Sequence, residues 1–257
     1  QWSIRRIAVW HRHYLVMSNS TKNTLVILPG LDGVGTQHED FIAAVGPAFA
    51  NVQSIVYPAD QKLGYAELEA LVRQQLPEEQ PFVLLGESFS GPLAIMLAAN
   101  PPPNLVGVVL VATFAKAPMA MLSPFAELTR FVPVRNMPRQ ILSKILYGRW
   151  ATDALVEDLH VALMGIDPDV LRFRGSEAMR VDTTRQLEQI RVPCLFLRAA
   201  RERLISASAS EHIVSVRPNC MVQDIEGPHM LLQVAAADCA RTIESFVGGL
   251  DNSSSMS

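Results

Sequence analysis

The feature that most constrains the fold of this chain is a repeated alternation of short, continuously apolar runs with segments of helical periodicity. The apolar runs do not alternate with polar residues, so each predicted strand is buried on both of its faces. Buried strands that alternate with helices are typical of a parallel sheet with helices on both sides, and the sequence therefore predicts an α/β fold with a mostly parallel central sheet. The predicted strands are 24–28, 52–57, 82–85, 105–111, 192–197 and 221–225, and the predicted helices are 41–49, 65–76, 92–99, 208–216 and 230–247.

The alternation stops between residues 115 and 185, where the sequence has helical patterns and no convincing strand. Ligands of open α/β sheets bind at the carboxyl ends of the strands. Half of the ten methionines lie in this segment, and their flexible side chains suit irregular apolar ligands. We therefore predict a helical cap, inserted before the last two strands, over the carboxyl edge of the sheet; the alternative is that these helices only shield hydrophobic surface. The helical patterns are 125–131, 139–146, 154–164 and 170–181, and the methionines are Met119, Met121, Met137, Met164 and Met179.

The predicted organisation is an N-terminal extension over residues 1–23, an α/β core formed by 24–114 and 186–248, the cap at 115–185, and a disordered tail at 249–257. Arginines and histidines interrupt the apolar residues of the extension, so it has no signal-peptide apolar region. Met17 opens a more ordinary beginning, which favours it as the natural start. The alternative is that the preceding residues form one or two real strands.

Composition argues against several classes of protein. Hydrophobic residues make up 49% of the chain and charged residues 18%, a balance unlike that of disordered proteins. The net charge of −3 gives no electrostatic footprint for nucleic acid, and no apolar run approaches the roughly 18 residues of a membrane span. The three cysteines are widely separated and odd in number, which favours buried reduced thiols over a disulfide framework or a metal site. We expect a cytoplasmic protein.

A candidate nucleophile, Ser88, lies between a predicted buried strand and a predicted helix. A serine at such a corner adopts strained backbone geometry that exposes its hydroxyl, and the residues two positions away on either side must be small. Gly86 meets this requirement on one side, and Ser90 stands on the other, where glycine is more usual. The motif is thus G-x-S-x-S, a string common enough by chance that it needs partners elsewhere in the chain.

A serine hydroxyl needs an imidazole to accept its proton, and the imidazole needs a carboxylate to fix its tautomer. His229 follows the last predicted strand on a Gly-Pro turn, a placement that the other five histidines lack. Glu202 is the one carboxylate in the loop 198–205 after the preceding strand. The alternatives are that Glu202 is a surface residue paired with a neighbouring arginine, and that Asp182 or Asp224 is the acid. The order nucleophile, acid, histidine is the one expected of α/β-hydrolases.

An acyl-transfer site also needs two backbone donors for the oxyanion. One candidate is the N–H of Phe89, at the positive end of the helix that follows the serine. The second is the N–H of Leu31, in the glycine-rich loop after the first predicted strand. A glycine-rich loop of this kind also suits phosphate, but this one lacks the G-x-G-x-x-G and G-K-[ST] patterns, so we predict no nucleotide cofactor.

Together, the Leu-Pro-Gly-Leu-Asp-Gly loop, the Gly-Glu-Ser-Phe-Ser-Gly corner and the Gly-Pro-His turn resemble the α/β-hydrolase superfamily over roughly residues 24–248. Within it, the chain is similar to small bacterial carboxylesterases and thioesterase-like hydrolases, including the pimeloyl-acyl-carrier methyl ester esterases. The resemblance implies an eight-stranded sheet or a shortened version, a helical cap, and Ser88, Glu202 and His229 as a catalytic triad without a cofactor. Two features depart from the commonest pattern, Ser90 in place of glycine and glutamate in place of aspartate, and neither removes a role.

The expected reaction is hydrolysis of short to medium acyl esters, small-molecule substrates, by a serine carboxylesterase through an acyl-enzyme. The alternatives are a thioesterase or acyl-carrier methyl ester esterase, and a non-catalytic ligand-binding protein on the same scaffold. A cofactor-free haloperoxidase would share the triad, and an acyltransferase would differ mainly by excluding water. An acyl-carrier protein as partner would use the arginines of the predicted cap, but we favour the interpretation that these lie on solvated helix faces balanced by nearby acids. The arginines are Arg130, Arg135, Arg139, Arg149, Arg172, Arg174 and Arg180.

Overall fold

The computed structural model describes residues 23–118 and 138–254. The predicted N-terminal extension, apart from its last residue, lies outside these ranges, and so does the predicted helix at 125–131. Within the described ranges, no helix is both long and apolar enough to cross a lipid bilayer.

A six-stranded sheet forms the centre of the fold, with the strand order β2-β1-β3-β4-β5-β6. Every neighbouring pair of these strands is parallel. The strands are β1 (Thr24–Leu28), β2 (Asn51–Ser54), β3 (Phe82–Glu87), β4 (Leu105–Val111), β5 (Cys194–Ala199) and β6 (Met221–Ile225). The predicted parallel α/β architecture is confirmed, and β1, β4 and β6 have the predicted bounds.

Helices make the crossovers that parallel strands require. They are α1 (Glu39–Val45), α2 (Tyr65–Arg73), α3 (Gly91–Ala99), α4 (Arg139–Leu146), α5 (Asp153–Met164), α6 (Pro168–Ala178), α7 (Thr184–Gln189), α8 (Ala207–Val216), α9 (Leu231–Val234) and α10 (Ala236–Ser254). The start of α6 shows how local chemistry sets an end, because the Asp167 side chain accepts from the backbone N–H of Asp169 and Pro168 occupies the first turn.

The inner strands β1, β3 and β4 are buried on both faces, as their continuously apolar runs predict. The prediction fails at the two edge strands, because β2 is only half-buried and β6 is largely exposed. Along β1, Leu25 and Ile27 join one hydrophobic cluster, and Val26 and Leu28 join another on the opposite face. All four side chains have no exposed surface. Since burying one such side chain is worth about 1.5–3 kcal/mol, strands of this kind hold the ends of the sheet, and the loops that follow them, in fixed positions.

The segment between β4 and β5 is helical in its described part and contains α4 to α7. Its own apolar cluster, built around Tyr147, Leu159 and Leu171, packs against Leu31 and Met230. Leu31 follows β1 and Met230 follows β6, so the inserted helices lie on loops at the carboxyl ends of the strands. Three of the five methionines of the segment, Met119, Met121 and Met137, lie outside the described residues, whereas Met164 is exposed and Met179 is buried.

The C-terminal helix departs from the sequence prediction. Helix α10 continues to Ser254, so residues 249–254 of the predicted disordered tail are helical. The prediction ended the helix at about Val247, because the polar, serine-rich composition of the tail locally favours disorder. Leu250 overrides this local preference, since it packs on the hydrophobic cluster beneath β4 and extends the buried face of the helix.

Candidate active site

Ser88 lies at the corner between β3 and α3, in strained backbone geometry with a φ of 49°. Two glycines allow the strand and helix to come this close. A Cβ on Gly86 would lie 2.7 Å from the carbonyl oxygen of Ser90, and a Cβ on Gly91 would overlap the side chain of Thr113. Thr113 in turn donates its hydroxyl proton to the carbonyl of Ser88. The corner predicted from the sequence is therefore a tightly packed turn that presents one serine hydroxyl.

The three side chains of the predicted triad form one chain of hydrogen bonds. The Oγ of Ser88 lies 2.8 Å from Nε2 of His229, and Nδ1 of His229 lies 2.8 Å from Oε2 of Glu202. An ionised carboxylate only accepts hydrogen bonds, so Nδ1 carries the proton of the neutral ring and Nε2 is left to accept the proton of Ser88. The arrangement can therefore activate the serine oxygen as a nucleophile.

Backbone groups fix the orientation of Glu202. Its other carboxylate oxygen, Oε1, accepts from the N–H groups of Arg203 at 2.8 Å, Leu204 at 2.7 Å and Ile205 at 3.2 Å. Burial alone would raise the pKa of Glu202, but the adjoining His229 and the backbone N–H groups hold it below its ordinary value. Glu202 is therefore an ionised, rigidly held partner for the imidazole.

The alternative acids have other partners, away from His229. Asp182 pairs with Lys116 and accepts from Thr184, and Asp224 pairs with Arg198. The neighbouring Arg201 pairs with Glu226, at 3.1 Å. The structure thus places Glu202, rather than Asp182 or Asp224, beside the candidate histidine.

The two predicted oxyanion donors come from elements next to the candidate nucleophile in the fold. Phe89 is the second residue of a short 3₁₀ turn, Ser88–Ser90, that leads into α3. Backbone N–H groups in a first helical turn have no acceptor within the helix, so the N–H of Phe89 is available to a ligand. Leu31 belongs to the loop after β1, which is the strand directly beside β3.

Ser90, the departure from the usual glycine, joins these two elements. Its side chain is fully buried, and its hydroxyl donates to the carbonyl of Pro29 in the Leu31 loop. Because that bond uses the single proton of the hydroxyl, the Tyr57 hydroxyl, 2.6 Å away, donates to Ser90. Sequence reasoning treated Ser90 as a tolerated replacement, but the structure gives it two hydrogen bonds of its own.

A buried ionisable cluster beside the nucleophile was not predicted. Nε2 of His38 lies 2.7 Å from Oε2 of Glu87, the residue before Ser88, and Gln233 donates to Oε1 of Glu87 at 3.2 Å. Burial alone would lower the pKa of His38, but Glu87 and nearby Asp32 raise it. Burial alone would raise the pKa of Glu87, but His38 lowers it. Each group of the pair therefore favours the charged form of the other, and no motif signals the pair because its members come from distant segments.

The arginines of the inserted segment divide into two kinds. Arg139, Arg149 and Arg172 pair with Glu157, Glu226 and Asp169 on the surface, as a solvated helix face predicts. Arg174 contradicts that prediction, because only 1% of it is exposed. Arg174 donates to the backbone carbonyls of Leu31, Asp32 and Pro58. These acceptors lie far from it in sequence, so helical periodicity does not indicate its burial. Arg130 and Arg135 lie outside the described residues.

In the two described ranges, no group of three or more histidine, cysteine or carboxylate side chains is arranged to hold a metal ion. The three cysteines are free and buried.

Comparisons with known proteins agree with this architecture. The sequence model of the family described as "Serine aminopeptidase, S33" matches residues 64–227, well over half of the 257-residue chain. A curated relative, phytyl ester synthase 1, chloroplastic, from Arabidopsis thaliana, is 32% identical over 153 residues, or 56% of this chain. The match covers 20% of that protein, so the chain spans about a fifth of the length of its relative.

Solved structures resemble the fold over nearly the whole chain. A lipase-esterase related protein from Clostridium acetobutylicum has a TM-score of 0.74 at 20% identity, covering 91% of this chain and 98% of that one. MenH from S. aureus has a TM-score of 0.77 at 14% identity, covering 93% of this chain and 98% of the other. At these identities the likeness establishes the fold and leaves the substrate to be argued from the site.

Proposed function

The chain belongs to the hydrolase family described as serine aminopeptidase, S33, and from that premise we propose that it is a serine carboxylesterase that hydrolyses short to medium acyl esters. The observation that carries the proposal is the continuous hydrogen-bonded series from Ser88 through His229 to Glu202. Its geometry suits a serine that attacks a carbonyl carbon and an imidazole that moves the proton.

In the proposed reaction, Oγ of Ser88 bonds to the ester carbonyl carbon while its proton passes to Nε2 of His229. The N–H groups of Phe89 and Leu31 bind the oxygen on which negative charge develops. The bond from carbon to the alcohol oxygen then breaks, and His229 gives its proton to the departing alkoxide. Water repeats the sequence on the acyl-enzyme and releases the carboxylic acid. Glu202 holds the tautomer of the ring and stabilises its charged form throughout.

Replacement of Ser88 by alanine tests this proposal. We expect the Ser88→Ala variant to keep the melting temperature of the parent and to lose several orders of magnitude in hydrolysis of p-nitrophenyl butyrate. Ser208, an exposed serine of α8, offers a matched control, and Ser208→Ala should retain the parental rate. A fluorophosphonate probe should label the parent and the control at Ser88. The contrary result is a folded parent that takes no label and hydrolyses no member of a panel of esters, thioesters and aminoacyl amides. That result would instead support a binding protein on this scaffold.

A second candidate, transfer of the acyl group to an alcohol, is favoured by the identity to phytyl ester synthase 1. The same acyl-enzyme would form, and His229 would take the proton of an alcohol rather than that of water. The test is to supply a donor ester together with a long-chain alcohol in detergent micelles and to separate the products by chromatography. A ratio of new ester to free acid that rises with the alcohol concentration supports transfer, and a ratio that stays near zero leaves hydrolysis as the function.

A further inference from the structure

Arg174, on helix α6 of the inserted segment, reaches from that segment into the loop that carries Leu31. Its guanidinium donates to the carbonyls of Leu31 at 3.0 Å, Asp32 at 2.9 Å and Pro58 at 2.9 Å. We propose that Arg174 is a positioning residue that fixes the direction of the Leu31 N–H and so maintains the second oxyanion donor. The inference rests on the proposed ester hydrolysis and adds to it a residue supplied by the insertion.

Each of the three consecutive peptide groups around Leu31 is held by one hydrogen bond to its carbonyl, and each bond comes from a different residue. Ser90 binds the carbonyl of Pro29, the backbone N–H of Gly33 binds the carbonyl of Gly30 at 3.0 Å, and Arg174 binds the carbonyl of Leu31. In a trans peptide the N–H points opposite to the carbonyl of the preceding residue. The bond to Gly30 therefore directs the Leu31 N–H away from Gly33, and the flanking bonds prevent rotation of the peptide planes on either side.

Arg174 holds the third of these peptide groups, and its environment is built to receive it. Gly33 has a φ of +72°, and a Cβ there would lie 2.6 Å from Nη1 of Arg174. The guanidinium also lies over the ring of Tyr57, 5.5 Å from its centroid. Since Tyr57 donates to Ser90, the supports of the first and third peptide groups meet at one side chain.

The burial of Arg174 is energetically unfavourable, which argues for a role beyond simple packing. Burial of a guanidinium is strongly unfavourable unless its hydrogen bonds are satisfied, and Nε of Arg174 is buried with no hydrogen-bond partner among the described residues. Two of its three acceptors are backbone carbonyls of the loop that has to present the Leu31 N–H, and the third is the carbonyl of Pro58, which follows β2. This pattern fits a group that holds a loop in a reactive conformation.

Substitution of Arg174 tests the inference through the division of the effect between kcat and KM. Loss of one direct oxyanion donor costs about 10²–10³ in kcat, so we expect Arg174→Met to lower kcat by about 10- to 100-fold and to leave KM within about threefold of the parent. An alkyl boronic acid mimics the tetrahedral intermediate on the serine, and its Ki should rise in parallel with the loss of kcat/KM. Arg172→Met is the control, because Arg172 lies on the same helix, is partly exposed and pairs with Asp169 at the surface; it should keep the parental kcat and Ki.

Two results would overturn the inference: a folded Arg174→Met enzyme with parental kcat, or one whose KM rises while kcat and the boronate Ki stay unchanged. If Arg174→Met does not fold, Arg174→Lys decides, because an ammonium keeps the charge but cannot reproduce the planar fork that binds the three carbonyls. A parental kcat and Ki in that variant would then refute it. A parent enzyme that shows no ester hydrolysis at all refutes the proposed function instead, so the two failures are distinguishable.

Discussion

Replacement of Glu202 by glutamine should reverse the tautomer of His229 without changing the shape of the site. A glutamine has one acceptor atom, and three backbone N–H groups already bind Oε1 of Glu202. If the amide turned its NH₂ group towards them, three hydrogen bonds worth about 0.5–1.5 kcal/mol each would be lost and the donors would oppose one another. The carbonyl oxygen of the glutamine therefore stays on that side, and the NH₂ group faces Nδ1 of His229.

A donor that faces Nδ1 favours the ring tautomer with its proton on Nε2, the atom that has to accept the proton of Ser88. The variant must then either use the wrong tautomer or form an imidazolium with no carboxylate beside it. For the equivalent exchange in another serine triad the loss in kcat is about 10⁴. We expect a similar loss for Glu202→Gln, which corresponds to about 5.5 kcal/mol in the activation barrier.

The assay is steady-state release of p-nitrophenol from p-nitrophenyl butyrate between pH 5 and 9, with thermal melting to verify the fold. Glu226 offers a matched control, since it is an exposed glutamate three residues before His229 with Arg149 and Arg201 as its partners. Glu226→Gln should stay within about threefold of the parental kcat. A Glu202→Gln enzyme that is folded and within tenfold of the parent would refute the tautomer argument.

Two further predictions concern groups outside the triad. Because Glu87 and Asp32 raise the pKa of His38 above 6.5, the imidazolium stabilises the fold fully below that pH and progressively less as the pH rises through the folded-state pKa. The melting temperature of the parent should therefore fall over this pH range, and that of His38→Gln should lack this fall. Plots of melting temperature against pH that run parallel for the two proteins would contradict the raised pKa of His38. The Sγ atoms of Cys194 and Cys220 lie 2.7 Å apart where the neighbouring strands β5 and β6 begin, so we expect the azo oxidant diamide to take two hydrogen atoms from them and leave a disulfide. Intact mass spectrometry of the parent and of Cys220→Ser checks this, and a parent that stays fully reduced while folded and accessible to the reagent would contradict it.

The sequence indicates the architecture well because its signals are local. The continuous apolar runs of β1 and β4 reflect burial on both faces, which is settled by residues within each run. Ser88, Glu202 and His229 can be found for a related reason, since each lies within a few residues of the end of a strand and the carboxyl ends of parallel strands share one edge.

The supports of the site depend on contacts between distant segments, and the sequence does not reveal them. Arg174 has the spacing of a surface residue on a helix, and its acceptors lie more than a hundred residues earlier in the chain. His38 and Glu87 are likewise separated by 49 residues. The sequence indicates only that Ser90 is small, because the carbonyl of Pro29 and the hydroxyl of Tyr57 reach it through the tertiary fold.

The contact between α6 and the Leu31 loop bears on any attempt to engineer selectivity by exchanging the inserted helices. Such helices are an inviting module to graft from one hydrolase to another, because they lie on the loops around the candidate site and are continuous in sequence. In this protein the graft would also remove Arg174, so a chimera would change turnover and selectivity together. A transplant that keeps an arginine at this place, opposite Gly33, is the design that separates the two properties.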